Sequence, residues 1–221
     1  MGDLRLQYFF AGFFLLDAAV QLYACANKNL LMLRRVSKCL LMPLLAACYM
    51  LFAKTPSSLV IAAILSGFVG DLVLLFRPRK WAFPLGILAF ATGHVFYILS
   101  FARRIAIAPP WYMFAILALI TIVCAATLMR YIWKGMPKKL CPPSFLYMLI
   151  IGTMASSSIL FALYGTSPYH YLAGIGGILF ALSDTTLSID AFHHPIHHRN
   201  IIVMSTYIAA QVLIVFALSL A

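Results

Sequence analysis

The sequence holds five acidic residues, Asp3, Asp17, Asp71, Asp184 and Asp190, and no glutamate. Four of the five fall within apolar runs or at their ends, where an ionisable group costs about 2.5 to 3.5 kcal/mol to insert into lipid. Each therefore needs a reason to be there. Asp71 follows Gly67 and Gly70, and Asp184 lies in Ser183-Asp184-Thr185-Thr186. Another apolar run carries Phe90, Gly93, His94, Tyr97 and Phe101, whose spacings of three and four place a histidine and a tyrosine on one helical face. Two acids, His94 and Tyr97 around one cavity could do acid–base work on a bound substrate, or carry a proton or cation across a membrane.

Other polar residues carry weaker signals. Asp17, with Gln21 one turn later, suits a helix-to-helix hydrogen bond. Asp190 falls near an interface, where hydration is cheap. Tyr207 and Gln211 share a face of the last apolar run and either line the same cavity or clip helices together. The run His193-His194-Pro195-Ile196-His197-His198 reads as a solvated loop, because no acid or cysteine follows it to complete a metal set and Pro195 interrupts the helix. Five scattered cysteines with no C-x-x-C argue against a disulfide framework or a zinc site. Lys38 begins an apolar run and is placed to meet a phosphate, either of bulk lipid or of a bound substrate.

The elements that must position these groups follow from composition. Of 221 residues, 64% are apolar and 10% charged, with a mean hydropathy of +1.01. A soluble domain is about 45 to 50% apolar, so a soluble or disordered chain is excluded. Because the apolar content is spread evenly, residues 1–221 read as one all-α integral membrane domain. A bilayer core takes about 20 apolar residues as helix. Eight segments qualify: roughly Leu6 to Ala26, Val36 to Ala53, Ser57 to Phe76, Trp81 to Phe101, Trp111 to Trp133, Ser144 to Leu163, Tyr169 to Phe192 and Ile201 to Ala221. The second is the shortest and contains Pro43. Pro56, Pro78, Pro109-Pro110, Pro137, Pro142-Pro143, Pro168 and Pro195 mark the joints. Runs such as Ile116 to Cys124 lack the alternation a β-barrel requires. Met1 to Arg5 leads into a stretch too long for a signal-peptide core, so it reads as a retained first span.

Eight spans put both termini on one side. That side carries Arg5, Lys54, Arg103 and Arg104. The other carries Lys28, Arg34, Arg35, Lys38, Arg77, Arg79, Lys80, Arg130, Lys134, Lys138, Lys139 and Arg199. The basic excess predicts that the second side is cytoplasmic and the termini are not. The same placement in short gaps argues against a nucleic-acid surface. Counting back from the cytoplasmic ends of their spans puts Asp71 and Asp184 roughly 8 and 12 Å deep, at similar levels.

Taken in order, Lys38 with Pro43, Gly70-Asp71, Gly93-His94 with Tyr97, Pro143 with Tyr147 and Met154, Gly177 through Phe180 to Ser183-Asp184 and Leu187, and Tyr207 with Ala210-Gln211 resemble the YhhN/TMEM86 family of membrane proteins, the lysoplasmalogenases. Cys39 departs from the pattern, which usually has proline after the lysine. The resemblance implies a multi-pass protein of a bacterial inner membrane or a eukaryotic endomembrane. It also implies hydrolysis of the vinyl ether of lysoplasmalogens to a fatty aldehyde and glycerophosphoethanolamine or glycerophosphocholine, with no metal or other cofactor. Such cleavage needs a proton delivered to carbon, an anion to steady the resulting cation, and water, much as glycoside cleavage uses paired carboxyls. Asp71 and Asp184, sharing one proton in low dielectric, would serve as acid and anion. His94 would relay the proton of water, and Lys38, Tyr97, Ser183, Tyr147 and Gln211 would hold the lysophospholipid. A proton- or cation-coupled transporter using the same two aspartates is the alternative.

Overall fold

The computed structural model describes residues 2–27, 29–76, 79, 81–165 and 168–220, with the side chain of Asp3 excluded. Lys28, Arg77 and Lys80 of the charge comparison, the breaker Pro78 and the terminal Met1 and Ala221 lie outside the described residues.

The described residues form eight α-helices and no strand: α1 Gly2–Ala26, α2 Leu31–Phe52, α3 Ser58–Leu74, α4 Ala82–Ala102, α5 Trp111–Ile132, α6 Cys141–Tyr164, α7 Tyr171–Phe192 and α8 Arg199–Ser219, with two 3-10 turns between α5 and α6. Seven are long and apolar enough to cross a membrane, as expected where only a helix can satisfy its own backbone in lipid. The exception is α3, with 17 residues, which rises only about 26 Å.

Two boundaries differ from the sequence expectation. The second helix is not the shortest: it begins at Leu31 and runs for 22 residues, because Arg34 and Arg35 are helical rather than part of the preceding loop. Long basic side chains near a helix end can lie along apolar surface with their charge in water, so charge alone misplaced this start. Lys38 consequently sits two turns inside α2 rather than at its mouth. Pro43 lies within the helix and, having no N–H, leaves the carbonyl of Cys39 without its helical donor. The third helix ends at Leu74, which brings Asp71 within one turn of its end.

The helices pack as a ring in the order α1, α2, α3, α4, α6, α7, α8, closed by contact between α8 and α1, while α5 stands outside against α6 and, less extensively, α7. Two close approaches depend on glycine. A Cβ on Gly93 would lie 3.0 Å from the carbonyl oxygen of Ala63, and one on Gly176 would lie 2.9 Å from that of Ala210. Backbone cannot move aside as a side chain can, so these glycines set how near α4 comes to α3 and α7 to α8. The outlying α5 buries only the row Leu117, Thr121, Ala125 and Ile132, and Trp111, Phe114, Leu119, Ile120, Ile122 and Val123 are exposed. Of these, Ile120 and Val123 line a groove shared with α6 and α7, and the others form an open apolar surface.

Candidate active site

The helix ends that carry Lys38, Asp71, Tyr147, Asp184 and Tyr207 gather at one end of the ring. Lys38 lies seven residues into α2, Tyr147 six into α6 and Tyr207 eight into α8, while Asp71 is three residues and Asp184 eight residues from the ends of α3 and α7. Their side chains line one cavity of about 90 Å³, along with Ser144, Ser183 and Ser188; its remaining wall is mostly apolar, including Phe83, Ile87, Phe90, Met136 and Met204.

Asp71 is 2% exposed and both of its oxygens are satisfied. Lys38 Nζ stands 2.9 Å from Oδ1, and the Tyr207 hydroxyl donates to Oδ2 at 3.0 Å. A cation and a hydroxyl donor thus occupy both oxygens of one buried carboxylate. Asp184 has a different setting. The Tyr147 hydroxyl donates to its Oδ2, and Tyr147 is in turn 3.3 Å from His94 Nε2. Asp184 Oδ1 has no hydrogen-bond partner among the described residues. His94 stands edge-on to Phe180 with ring centres 4.7 Å apart, and Phe180 meets Tyr207 edge-on at 5.4 Å. Phe180 is therefore a wedge that holds both polar rings in place.

The structure separates the sequence-predicted residues into two layers. Lys38, Asp71, Tyr147, Ser183 and Asp184 line the cavity. His94 does not; it reaches the cavity only through Tyr147, and its Nδ1 is buried without a partner. Tyr97 and Gln211 lie deeper, where the Tyr97 hydroxyl donates to Gln211 Oε1 at 2.6 Å, joining α4 to α8. Gln211 Nε2 and the Tyr207 hydroxyl both flank Gly67. Tyr97 and Gln211 thus support the wall from behind, and Tyr207 is the member of the α8 pair that faces the cavity. Ser183 donates to the carbonyl oxygen of Val203 at 3.0 Å, a clip between α7 and α8.

The minor candidates are also placed. Asp190 pairs with Arg199 at 3.1 Å and accepts from the backbone N–H of Ile196 at 3.0 Å, which fixes the turn into α8. His193 stacks on Tyr131 with ring centres 4.0 Å apart. Among the described residues no group of three metal-ligating side chains converges. Asp17 Oδ2 and both polar atoms of the Gln21 side chain are buried without partners, although the Ser37 hydroxyl donates to the Asp17 carbonyl. Sequence reasoning missed Ser144, whose hydroxyl is buried, unpartnered and at the cavity wall. Its place one turn before Tyr147 on a helical face was the available signal.

Two further spaces border the carboxylate cavity. Lys38, Leu74, Phe83, Leu187, Val203 and Met204 are shared with a second cavity of about 360 Å³ that also meets Arg34, Arg35 and Arg199. On the opposite side, Tyr147, Met148, Asp184 and Ser188 are shared with a mostly apolar groove of about 720 Å³ between α5, α6 and α7. A basic space, two carboxylates and an apolar groove are therefore neighbours, each sharing wall residues with the next.

The chain was also compared with known proteins as a whole. The sequence profile of the YhhN family matches residues 33–218. The lysoplasmalogenase TMEM86B of Sus scrofa is 34% identical over 160 residues, 71% of this chain and 62% of that protein. The human lysoplasmalogenase TMEM86B is 31% identical over 80% of this chain and 71% of its own length, and the lysoplasmalogenase TMEM86A of Bos taurus is 27% identical over 66% of this chain and 59% of its own. The match thus covers less than two thirds of the pig and cattle proteins. No solved structure matches the chain. With its profile match running from α2 to α8 and its seven long apolar helices, the chain is a multi-pass membrane protein and belongs to the YhhN family.

Proposed function

We propose that the protein is a lysoplasmalogenase, hydrolysing the vinyl ether of a lysoplasmalogen to a fatty aldehyde and the glycerophospho-base. The observation that carries this reading is the sequence of spaces just described: an amphiphile with its charged head in the basic cavity and its chain in the α5–α7 groove must pass its linking atoms between Asp71 and Asp184. The names of the relatives favour hydrolysis over the transport alternative.

The chemistry divides between the two carboxyls. Asp184, backed by Tyr147 and through it by His94, delivers a proton to the alkenyl carbon one bond away from the ether-bearing carbon. The double bond's electron pair forms the new C–H bond, leaving an oxocarbenium ion. Asp71, ion-paired with Lys38 and hydrogen-bonded by Tyr207, is the anion that steadies that cation and takes a proton from the water that adds to it. The resulting hemiacetal breaks its bond to the glycerol oxygen. As that bond breaks, Asp71 gives its proton to the glycerol oxygen and the hemiacetal hydroxyl proton returns to Asp184 as the carbonyl forms on the chain, so both carboxyls are reset and one water has been consumed. A saturated ether has no π bond to protonate at carbon and is inert to this sequence.

We further place all eight helices across the bilayer, with the basic cavity at the cytoplasmic face and both termini opposite. The excess of basic residues at the site end supports this orientation. The deciding experiment incubates purified protein with a lysoplasmalogen and with its saturated-ether analogue. Aldehyde from the vinyl ether alone is the expected result; none from either overturns the assignment.

A further inference from the structure

The proposed chemistry uses nothing from α1, yet that helix places an unusual group beside it. Gln21 is fully buried, and neither its Nε2 nor its Oε1 has a partner among the described residues. Buried amides are ordinarily hydrogen-bonded, and an orphan of this kind calls for an explanation. Gln21 lines the basic cavity of about 360 Å³, together with Arg34, Arg35, Lys38, Arg199 and Asn200.

The charges in that cavity are unbalanced. Lys38 is matched by Asp71 and Arg199 by Asp190. Among the described residues no carboxylate pairs with Arg34 or Arg35. A half-buried Arg34 next to free amide donors suits a tetrahedral oxyanion. The amide oxygen of Gln21 adds an acceptor, which a bare anion does not need but a neighbouring hydroxyl or ammonium does. A glycerophosphodiester offers both the anion and, through its free glycerol hydroxyl, a donor to that oxygen. Because this cavity shares six lining residues with the carboxylate cavity, a head group held here leaves the rest of its lipid directed toward Asp71 and Asp184. Gln21 also precedes residue 33, where the family match begins, so the shared family pattern does not contain it.

We propose that Gln21 and Arg34, with Arg199, form a subsite for the phosphodiester head group of a lysolipid. The proposal rests on the function above for what happens at the lipid's scissile bond, but its test requires no cleavage.

The measurement is equilibrium binding to the full chain in detergent of a saturated-ether lysophosphatidylcholine and of the corresponding alkylglycerol, which lacks the phosphate. Wild-type protein is expected to bind the phosphorylated lipid at least about ten-fold more tightly, and Gln21→Met or Arg34→Ala to remove most of that preference while leaving alkylglycerol binding unchanged. Equal preference in wild type and both variants, or none in wild type, overturns the subsite. If Gln21→Met does not fold, Arg34→Ala at the cavity mouth decides the question. Glycerophosphocholine should displace the lipid at lower concentration than inorganic phosphate, and equal displacement by the two would make this a free-anion site and overturn the head-group assignment. A protein that shows the phosphate preference yet yields no aldehyde from a lysoplasmalogen retains this subsite and loses only the proposed reaction.

Discussion

Lys38 and Asp71 form an ion pair of 2.9 Å between the second and third helices. From sequence, Lys38 was expected to meet a substrate phosphate and Asp71 to share a proton with Asp184. Their contact gives each a different first duty: the lysine compensates the carboxylate, and the carboxylate anchors the lysine two turns inside α2.

Removing one member of this pair should therefore cost more than removing both. Lys38→Met is expected to lower stability by about 3 kcal/mol, the low end for a broken buried pair because Lys38 is 24% exposed. Lys38→Met combined with Asp71→Asn should recover most of that loss without recovering activity. Thermal unfolding of the two single variants and the double variant in detergent checks this; additive losses would mean that the pair is not coupled.

Asp184→Asn and Asp71→Asn should each reduce aldehyde release by at least about 10²-fold, the lower bound for a group that transfers a proton in the rate-limiting step. Both side chains keep their size, but Asp71→Asn also unpairs Lys38, so activity is compared per folded protein. Most of the activity surviving in either variant would refute the division of labour between the two carboxyls.

His94 acts through Tyr147 rather than at the cavity. Tyr147→Phe should slow turnover, and His94→Gln should slow it by a similar factor. The two together should do little more than either alone, because one hydrogen-bonded chain is cut in two places. Independent, multiplying effects on kcat would show that His94 has its own contact with the reacting lipid.

Ala155 and Ala181 line the α5–α7 groove. Ala155→Leu or Ala181→Leu should raise KM for long-chain substrates and leave short-chain substrates and kcat nearly unchanged, since the lost contact is equally present in the ground and transition states. A uniform loss across chain lengths would place the chain elsewhere.

A reporter fused at the C-terminus should read non-cytoplasmic, with one in the loop between α5 and α6 reading cytoplasmic. The reverse pattern would invert the proposed orientation.

The helices were legible because membrane spans are read from length and apolarity, and prolines punctuate the gaps. Charge misled at Arg34 and Arg35, where helix continues through residues that composition assigns to a loop. Within the site, the convergence of Asp71 and Asp184 on one cavity followed from their matching depth, Lys38 was marked by its place at the start of an apolar run, and Tyr147 came from the family resemblance. The partners did not follow. Lys38 meets Asp71, Tyr207 meets Asp71 and Gln211 meets Tyr97, and such pairings depend on which helices are neighbours, which no single helix encodes. Gln21 was read as an interhelical clip, whereas its amide remains unpaired beside a basic cavity.

The succession of basic space, carboxylates and greasy groove also gives each product of the proposed cleavage its own way out. An aldehyde formed beside Asp184 would already border the apolar groove walled by α5, α6 and α7 and would leave by that side. The water-soluble half departs through the arginine-lined mouth. Neither traffic blocks the other, and the helix bordering the lipid door, α5, is the one standing outside the ring.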